Sequence, residues 1–403
     1  MHVFPRSSTH DARRLVAART IRGFADGLVS VTLASYLVDS GFSAFEVGAI
    51  VTATMLGSAA LTLAIGLRGS HFNPRLVLLV GTALMAATGL GFATFTAFWP
   101  LLLIGFIGTM NPSASDVSLF LPIEQSLLSE RVAPAERTSL FALYTLGGSL
   151  AGALGALAAA LPGPIARAFD ADLGEVQRGV FVLYAVTSIA VLLLYRPLRV
   201  NARPLDAPRG LGKSRPVVLR LSALFSLDSF GGGFVVQSLL ALWLFKRFDL
   251  SVEAAGLIFF VAGLLSAGSQ LLSPLLARRI GLVRTMVYTH LPANIFLIVA
   301  AFMPTAPLAV AFLLARMALS QMDVPARQSY VMAVVPPERR AAAASVTNVP
   351  RSLASAASPL LAGAMLGAST IGWPLIAGGG LKVAYDLLLL RQFGSIQPEE
   401  ESG

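Results

Sequence analysis

An acidic and a basic side chain one helical turn apart, inside a stretch otherwise suited to lipid, are the residues of this chain best placed to do chemistry. Asp323 and Arg327 fall in SQMDVPARQSYVMAVVPPERRA, from Ser320 to Ala341, with Pro325 between them. A carboxylate in low dielectric can exchange protons near neutral pH, and a neighbouring guanidinium can act as its counter-ion. A related phrase occurs earlier, LPIEQSLLSERVAPAERTS from Leu121 to Ser139. There Pro122, Gln125, Ser126 and Glu136-Arg137 answer to Pro325, Gln328, Ser329 and Glu338-Arg339, and Glu124 stands in the place of Arg327. The remaining deep acids are Asp26, Asp116 and Asp228. Arg316 lies seven residues before Asp323, so Arg316, Asp323 and Arg327 share one stripe of a helix. Asp116 and Glu124, eight apart, diverge by about 80° and roughly share a face. A charge near a bilayer centre costs about 2.5–3.5 kcal/mol on insertion scales, so each of these residues needs a reason.

The elements that must position them are membrane spans. The 403 residues are 55% hydrophobic and 13% charged, with a mean hydropathy of +0.74. Soluble domains are about 45–50% apolar and roughly 25% charged. About twelve apolar runs long enough to span a bilayer are expected, near 17–39, 46–67, 76–95, 99–128, 138–161, 178–195, 217–245, 252–276, 285–303, 306–334, 341–367 and 371–391. The first follows Arg13, Arg14 and Arg19 but is too long for a signal segment, and reads as a retained helix. The fold class is therefore an all-α polytopic membrane protein; the alternating strands of a barrel do not occur.

The net charge of +9 is distributed by loop. Arg68, Arg75, Arg131, Arg137, Arg278, Arg279, Arg284, Arg339 and Arg340 fall in alternate loops, as does the run from Arg196 to Arg215. The other loops mix few cations with acids. That bias places both termini and the middle loop in the cytoplasm, and the basic excess sets orientation with no nucleic-acid partner implied. A bacterial inner (plasma) membrane is the expected location. Cysteine is absent, which removes disulfides and thiolate metal sites.

The chain divides near its middle at RPLRVNARPLDAPRGLGKSRP, Arg196 to Pro216. A six-helix bundle is expected over 1–195, a basic cytoplasmic linker over 196–216 and a second six-helix bundle over 217–403. GFSAFEVG (Gly41 to Gly48) resembles DLSVEAAG (Asp249 to Gly256), and each joins the first two helices of its half. Twin halves imply a substrate path near the midplane at their interface. The deep acids lie on helices one, four, seven and ten, while the interiors of helices two, three, five, six and eight carry no charge. Pro122 and Pro325 each remove a backbone hydrogen bond, so kinks are expected beside these charges. Gly231 and Gly232, after Asp228, leave room for a ligand or a neighbouring helix.

With its 6+6 layout, its PAER and PPER turns (Pro134 to Arg137, Pro336 to Arg339) and its basic loops after the second and eighth helices, the chain resembles the major facilitator superfamily of secondary transporters over nearly its whole length. The resemblance implies that helices one, four, seven and ten line a central cavity. It makes Glu136, Arg137, Glu338 and Arg339 candidates for a cytoplasmic gate. Ser70 stands where the family places an aspartate, and Arg278 takes the corresponding place in the second half, which leaves the family's charge latch without its acid.

Structural roles remain open beside functional ones. Asp323 with Arg327 and Arg22 with Asp26 can be internal ion pairs that make insertion tolerable. Lys382 with Asp386 reads as a structural pair near the membrane edge, Asn348 with Arg351 as helix packing, and His290 as a hydrogen-bonded structural histidine. The glycine and alanine runs around Gly147 to Gly155 and Ala341 to Ala364 read as close helix contacts. His2, His10, His71 and His290 show no metal-ligand spacing, and no Walker A or G-x-S-x-G motif occurs. No cofactor and no enzymatic activity are expected. The function expected is secondary transport of a small solute by a monomer, with protons as coupling partners. Asp323, Glu124 and Asp228 would be the proton- or substrate-sensing groups, and Glu124 with Arg327 a cross-half ion pair at the cytoplasmic side, broken when the inner gate opens. Family frequency favours export over import, and a membrane-embedded enzyme or lipid-handling protein is the rival class.

Overall fold

The computed structural model describes residues 4–5, 7–68, 73–113, 119–133, 136–199, 211–336 and 340–394. Asp116, Ser70, Glu338, Arg339 and residues 200–210 of the expected linker lie outside them.

Apolar composition and length dictate helices, and among the described residues there is no strand. The helices are α1 (His10–Asp39), α2 (Ala44–Arg68), α3 (Pro74–Thr94), α4 (Phe98–Ile107), α5 (Phe120–Ser129), α6 (Arg137–Ala158), α7 (Pro162–Phe169) and α8 (Leu173–Tyr195). A short 3-10 turn at Gly212–Ser214 leads into α9 (Arg215–Gly233), α10 (Gln237–Phe248), α11 (Val252–Ile280), α12 (Leu282–Phe302), α13 (Ala306–Ser320), α14 (Asp323–Ala333), α15 (Arg340–Ala368) and α16 (Trp373–Phe393). Among the described residues, ten helical stretches are apolar enough over a sufficient length to cross a membrane. Large apolar side chains such as Trp99, Leu103, Leu193, Leu271 and Leu275 are exposed on the outer surface, where a bilayer would cover them.

Three of the expected spans are not continuous. The fourth breaks between α4 and α5, the seventh between α9 and α10, and the tenth between α13 and α14. The fifth is continuous to Ala158, and the short α7 follows beyond the expected span. Pro122 and Pro325, expected to kink helices from within, each occupy the third position of a fresh helix, α5 or α14. The first four N–H groups of a helix have no intrahelical partner, so a proline loses nothing there. The prolines therefore mark restarts.

The matched turns after α1 and α10 have the same geometry. Gly41 and Asp249 both adopt positive φ, at 88° and 51°. Two residues later, the hydroxyls of Ser43 and Ser251 cap α2 and α11, accepting from the backbone N–H of Glu46 at 3.3 Å and Ala254 at 3.2 Å. Glu46 closes a capping box by accepting from the Ser43 N–H at 2.8 Å. Asp249 adopts the left-handed conformation that its short polar side chain tolerates.

Packing separates the molecule into three apolar cores. One lies at the end bearing the α1–α2 and α10–α11 turns and draws on both halves of the chain, joining Leu33, Leu37, Val47 and Phe181 to Leu240, Trp243, Phe259 and Leu366. At the opposite end, which bears the start of α1 and the end of α16, there are two separate cores. One is built from α1, α3, α5, α6 and α8 around Leu15, Leu128, Tyr144 and Tyr195. The other is built from α9, α12, α14, α15 and α16 around Leu221, Met286, Tyr330 and Tyr385. Across the halves, α2 packs on α15, α6 on α11, and α1 on α10. Gly48 and Gly363 permit the first of these approaches: a Cβ on Gly48 would lie 2.8 Å from the Gly363 Cα. The molecule is thus closed at one end and divided at the other.

Candidate functional site

The deep charges collect into two clusters, one per half, at the level where each terminal core gives way to the shared one. In the first, Glu124 of α5 is fully buried and forms an ion pair with Arg22 of α1. Its carboxylate also accepts from the Tyr144 hydroxyl of α6 at 2.6 Å and from the Tyr195 hydroxyl of α8 at 2.5 Å. Arg22 stacks over the Phe120 ring, 4.1 Å from its centroid. A buried carboxylate is tolerable only when paired and hydrogen-bonded, and here both oxygens are engaged. Asp26, one turn beyond Arg22, is buried within electrostatic range of it.

The second cluster centres on Asp228 of α9. Its carboxylate accepts from Lys382 Nζ of α16 at 2.6 Å and from Arg327 Nη1 of α14 at 3.3 Å. Arg327 also donates to Asp323 at 3.0 Å across one turn of α14. His290 of α12 lies between two carboxylates: Nδ1 is 2.9 Å from Asp386 Oδ1 and Nε2 is 3.6 Å from Asp228 Oδ1. Asn294 donates to the other Asp386 oxygen at 3.0 Å. Asp228, His290, Asp323, Arg327, Lys382 and Asp386 are all buried, so none faces hydrocarbon.

The helix breaks explain how such charges reach one another. In α13 and α14, Arg316 and Asp323 fall on either side of the gap at 321–322, so the expected continuous stripe is interrupted. Asp228 sits in the last two turns of α9, before the chain opens at 234–236. Gly231 brings α9 against α16, where a Cβ would lie 2.9 Å from the Gly378 carbonyl oxygen. Gly232 faces the Lys382 side chain. Close backbone approach at these glycines brings the lysine to Asp228.

Several expectations require correction. Glu124 and Arg327, expected to pair across the halves until the inner gate opens, each have a partner within their own half in this structure. Lys382 and Asp386 are not at a membrane edge, because Lys382 is the tenth residue of the 21-residue α16 and both are buried. His290 is part of the charge cluster. Of the expected gate residues, Glu136 accepts from the backbone N–H of Ser7 at 3.0 Å, tying the chain's start to the first half. Arg137 opens α6. Sequence reasoning did not single out Tyr144, Tyr195 or Asn294, whose partners lie 20 to 92 residues away. The available signal was a tyrosine hydroxyl or an amide in an otherwise apolar span.

Comparison with known proteins agrees with this architecture. The family model of the Major Facilitator Superfamily matches residues 15–359. An uncharacterized membrane protein of Saccharomyces cerevisiae is 25% identical, over 96% of this chain and 94% of its own. Among solved structures, the D-xylose-proton symporter superposes with a TM-score of 0.74 at 15% identity, over 97% of this chain and 99% of its own. The nucleoside transporter NupG superposes at 0.73 and 14% identity, over 96% and 99%. A bacterial homologue of the human lysosomal transporter Spinster, in an inward-facing state, gives 0.70 at 16% identity, over 95% and 94%. These likenesses are of fold. The chain belongs to the Major Facilitator Superfamily, as an integral multi-pass membrane transporter of a small solute and not an enzyme.

Proposed function

We propose that the chain is a proton-coupled secondary transporter that moves a small organic solute by alternating access, exporting it in exchange for protons. The observation that carries proton coupling is the position of His290, with a carboxylate beside each ring nitrogen, at mid-span and next to the Asp228 hub. Histidine is the side chain whose unperturbed pKa, about 6.5, puts its charge change at physiological pH. A proton taken up by the His290–Asp386 pair places a cation 3.6 Å from Asp228, in competition with Lys382 and Arg327. Arg327 is then free to shift its weight to Asp323, and the contacts among α9, α14 and α16 loosen.

Alternating access is supported by the core arrangement. The halves share one core at the closed end and hold separate cores at the divided end, so rocking about the shared core exchanges which end is open. With both termini in the cytoplasm of a plasma membrane, as the arginine distribution indicates, the open end faces inward. The two six-helix bundles on either side of the linker are then the moving bodies, acting within one monomer.

The test is flux in proteoliposomes carrying the purified protein, with a panel of labelled compounds and an imposed pH gradient. We expect gradient-driven movement of a panel member, abolished by a protonophore. His290→Gln should retain counterflow while losing its response to the gradient. Reversing the gradient separates export from import. Full gradient-driven transport by His290→Gln, or wild-type flux indifferent to the gradient, overturns the coupling.

A further inference from the structure

We infer that the charge cluster of the second half holds an oxyanion of the transported solute, a carboxylate or phosphate-type group, through Arg316 and Arg351. The inference rests on the transport reading above and supplies its substrate class.

The argument is one of charge left over. Around Asp228 in the second half, the described residues place four permanent cations, Arg316, Arg327, Arg351 and Lys382, against three carboxylates, Asp228, Asp323 and Asp386. All three carboxylates are taken. Lys382 and Arg327 hold Asp228, Arg327 holds Asp323, and His290 with Asn294 holds Asp386. Arg316 and Arg351 are left with neutral partners. Arg316 Nη1 lies 3.2 Å from the Met317 sulfur, a weak acceptor, and its Nε is buried with no hydrogen-bond partner among the described residues. Arg351 donates from Nε to the Ser229 hydroxyl at 3.1 Å and from Nη1 to the Asn348 side-chain oxygen at 3.3 Å.

Arg351 bonds Ser229, the residue after Asp228. Each guanidinium lies within electrostatic range of Asp228 and Asp323, Arg316 from α13 and Arg351 from α15. A guanidinium nitrogen buried without a partner is costly, and arginine cannot escape the cost by deprotonating. Its planar fork fits an oxyanion through two parallel hydrogen bonds. In the first half, by contrast, Glu124 pairs with Arg22 and both of its carboxylate oxygens are engaged. Binding at Arg316 and Arg351 would add a negative charge beside Asp228 and Asp323 and favour uptake of a proton by the His290 pair. That links the anion to the coupling ion.

The test is thermal stabilisation of the purified full-length protein in detergent, with no gradient imposed. The probes are inorganic phosphate, succinate, benzoate and glucose 6-phosphate, each organic anion paired with its neutral counterpart (succinamide, benzamide, glucose), with benzylamine as a cation and micelles containing phosphatidylglycerol as a lipid arm. We expect at least one soluble anion to stabilise the protein in a concentration-dependent way while its neutral partner does not. Arg316→Gln and Arg351→Gln should each weaken that binding about tenfold or more, and Arg316→Lys should recover part of it. The wild-type comparison of anion with neutral partner stands even if a glutamine variant fails to fold. The assignment is overturned if no anion stabilises, if the neutral partner or benzylamine does as well, if only phosphatidylglycerol protects, or if both glutamine variants bind like wild type. Because binding is read without a gradient, its failure leaves proton coupling standing, and the loss of coupling leaves the binding result intact.

Discussion

The two charge clusters are built from equivalent positions with opposite signs. Two residues after its proline, α5 carries an acid, Glu124, that reaches a base on α1; two residues after its proline, α14 carries a base, Arg327, that reaches an acid on α9. The first cluster then closes on itself, with two tyrosine hydroxyls completing the carboxylate. The second opens outward through Lys382, His290, Asp386, Arg316 and Arg351. One half centres on a single buried ion pair, and the other on a network of several acids and bases. The difference teaches that twin halves need not share the work: the first anchors, while the second exchanges charge.

The largest effect should come from breaking the closed cluster. Glu124→Leu strands Arg22 in the interior, and losing one partner of a buried pair costs about 3–5 kcal/mol. A steep fall in melting temperature and yield is expected, and the double replacement Arg22→Met with Glu124→Leu should restore most of it. A double variant no better than the single one would show that Glu124 does more than match Arg22.

The open cluster should behave differently. Asp228→Asn leaves Lys382 without its carboxylate, yet Arg327 keeps Asp323, so we expect a smaller loss of melting temperature with transport reduced to background in the proteoliposome assay. Combining it with Lys382→Met should recover stability but not flux. Recovery of flux would place Asp228 and Lys382 in the same structural role as Glu124 and Arg22.

A third test concerns the seam between the halves. Gly48→Val intrudes on Gly363 and should open the closed end. The chain contains no cysteine, so one introduced as Val236→Cys, buried in the shared core, reports opening without background. Labelling by a water-soluble maleimide should rise about fivefold, corresponding to roughly 1 kcal/mol of bias between states. Unchanged labelling would show that α2 and α15 do not hold that end shut.

The smallest effect should come from Pro122→Ala and Pro325→Ala. Each proline sits in the first turn of its helix, so we expect a change of about 1 kcal/mol or less in stability for both, measured as a shift in melting temperature of a few degrees. A much larger loss in either would mean that the restart itself depends on the ring.

Much of this was legible in the sequence. Apolar run length located the helical stretches, and the cost of charge in lipid drew attention to Glu124, Asp228, Asp323 and Arg327, all of which are buried in the clusters. The repeated turn, with Ser43 and Ser251 as caps, was visible as a local match. What was not legible follows from distance along the chain. Lys382 lies 154 residues from Asp228, and Tyr195 lies 71 from Glu124; no spacing rule links them, since their meeting depends on which helices pack together. The helix breaks were missed because a proline inside an apolar run reads as a kink until the backbone before it is seen to stop.

The three-core arrangement also bears on how the protein is made. Each terminal core draws on one side of the middle linker, so each can consolidate as its own helices leave the ribosome. The shared core cannot, because Leu37 and Phe181 must wait for Leu240 and Trp243. The seam is therefore the last surface to be assembled in the membrane, and the wait leaves the first half exposing an unmatched apolar flank to lipid, where that flank is at no disadvantage.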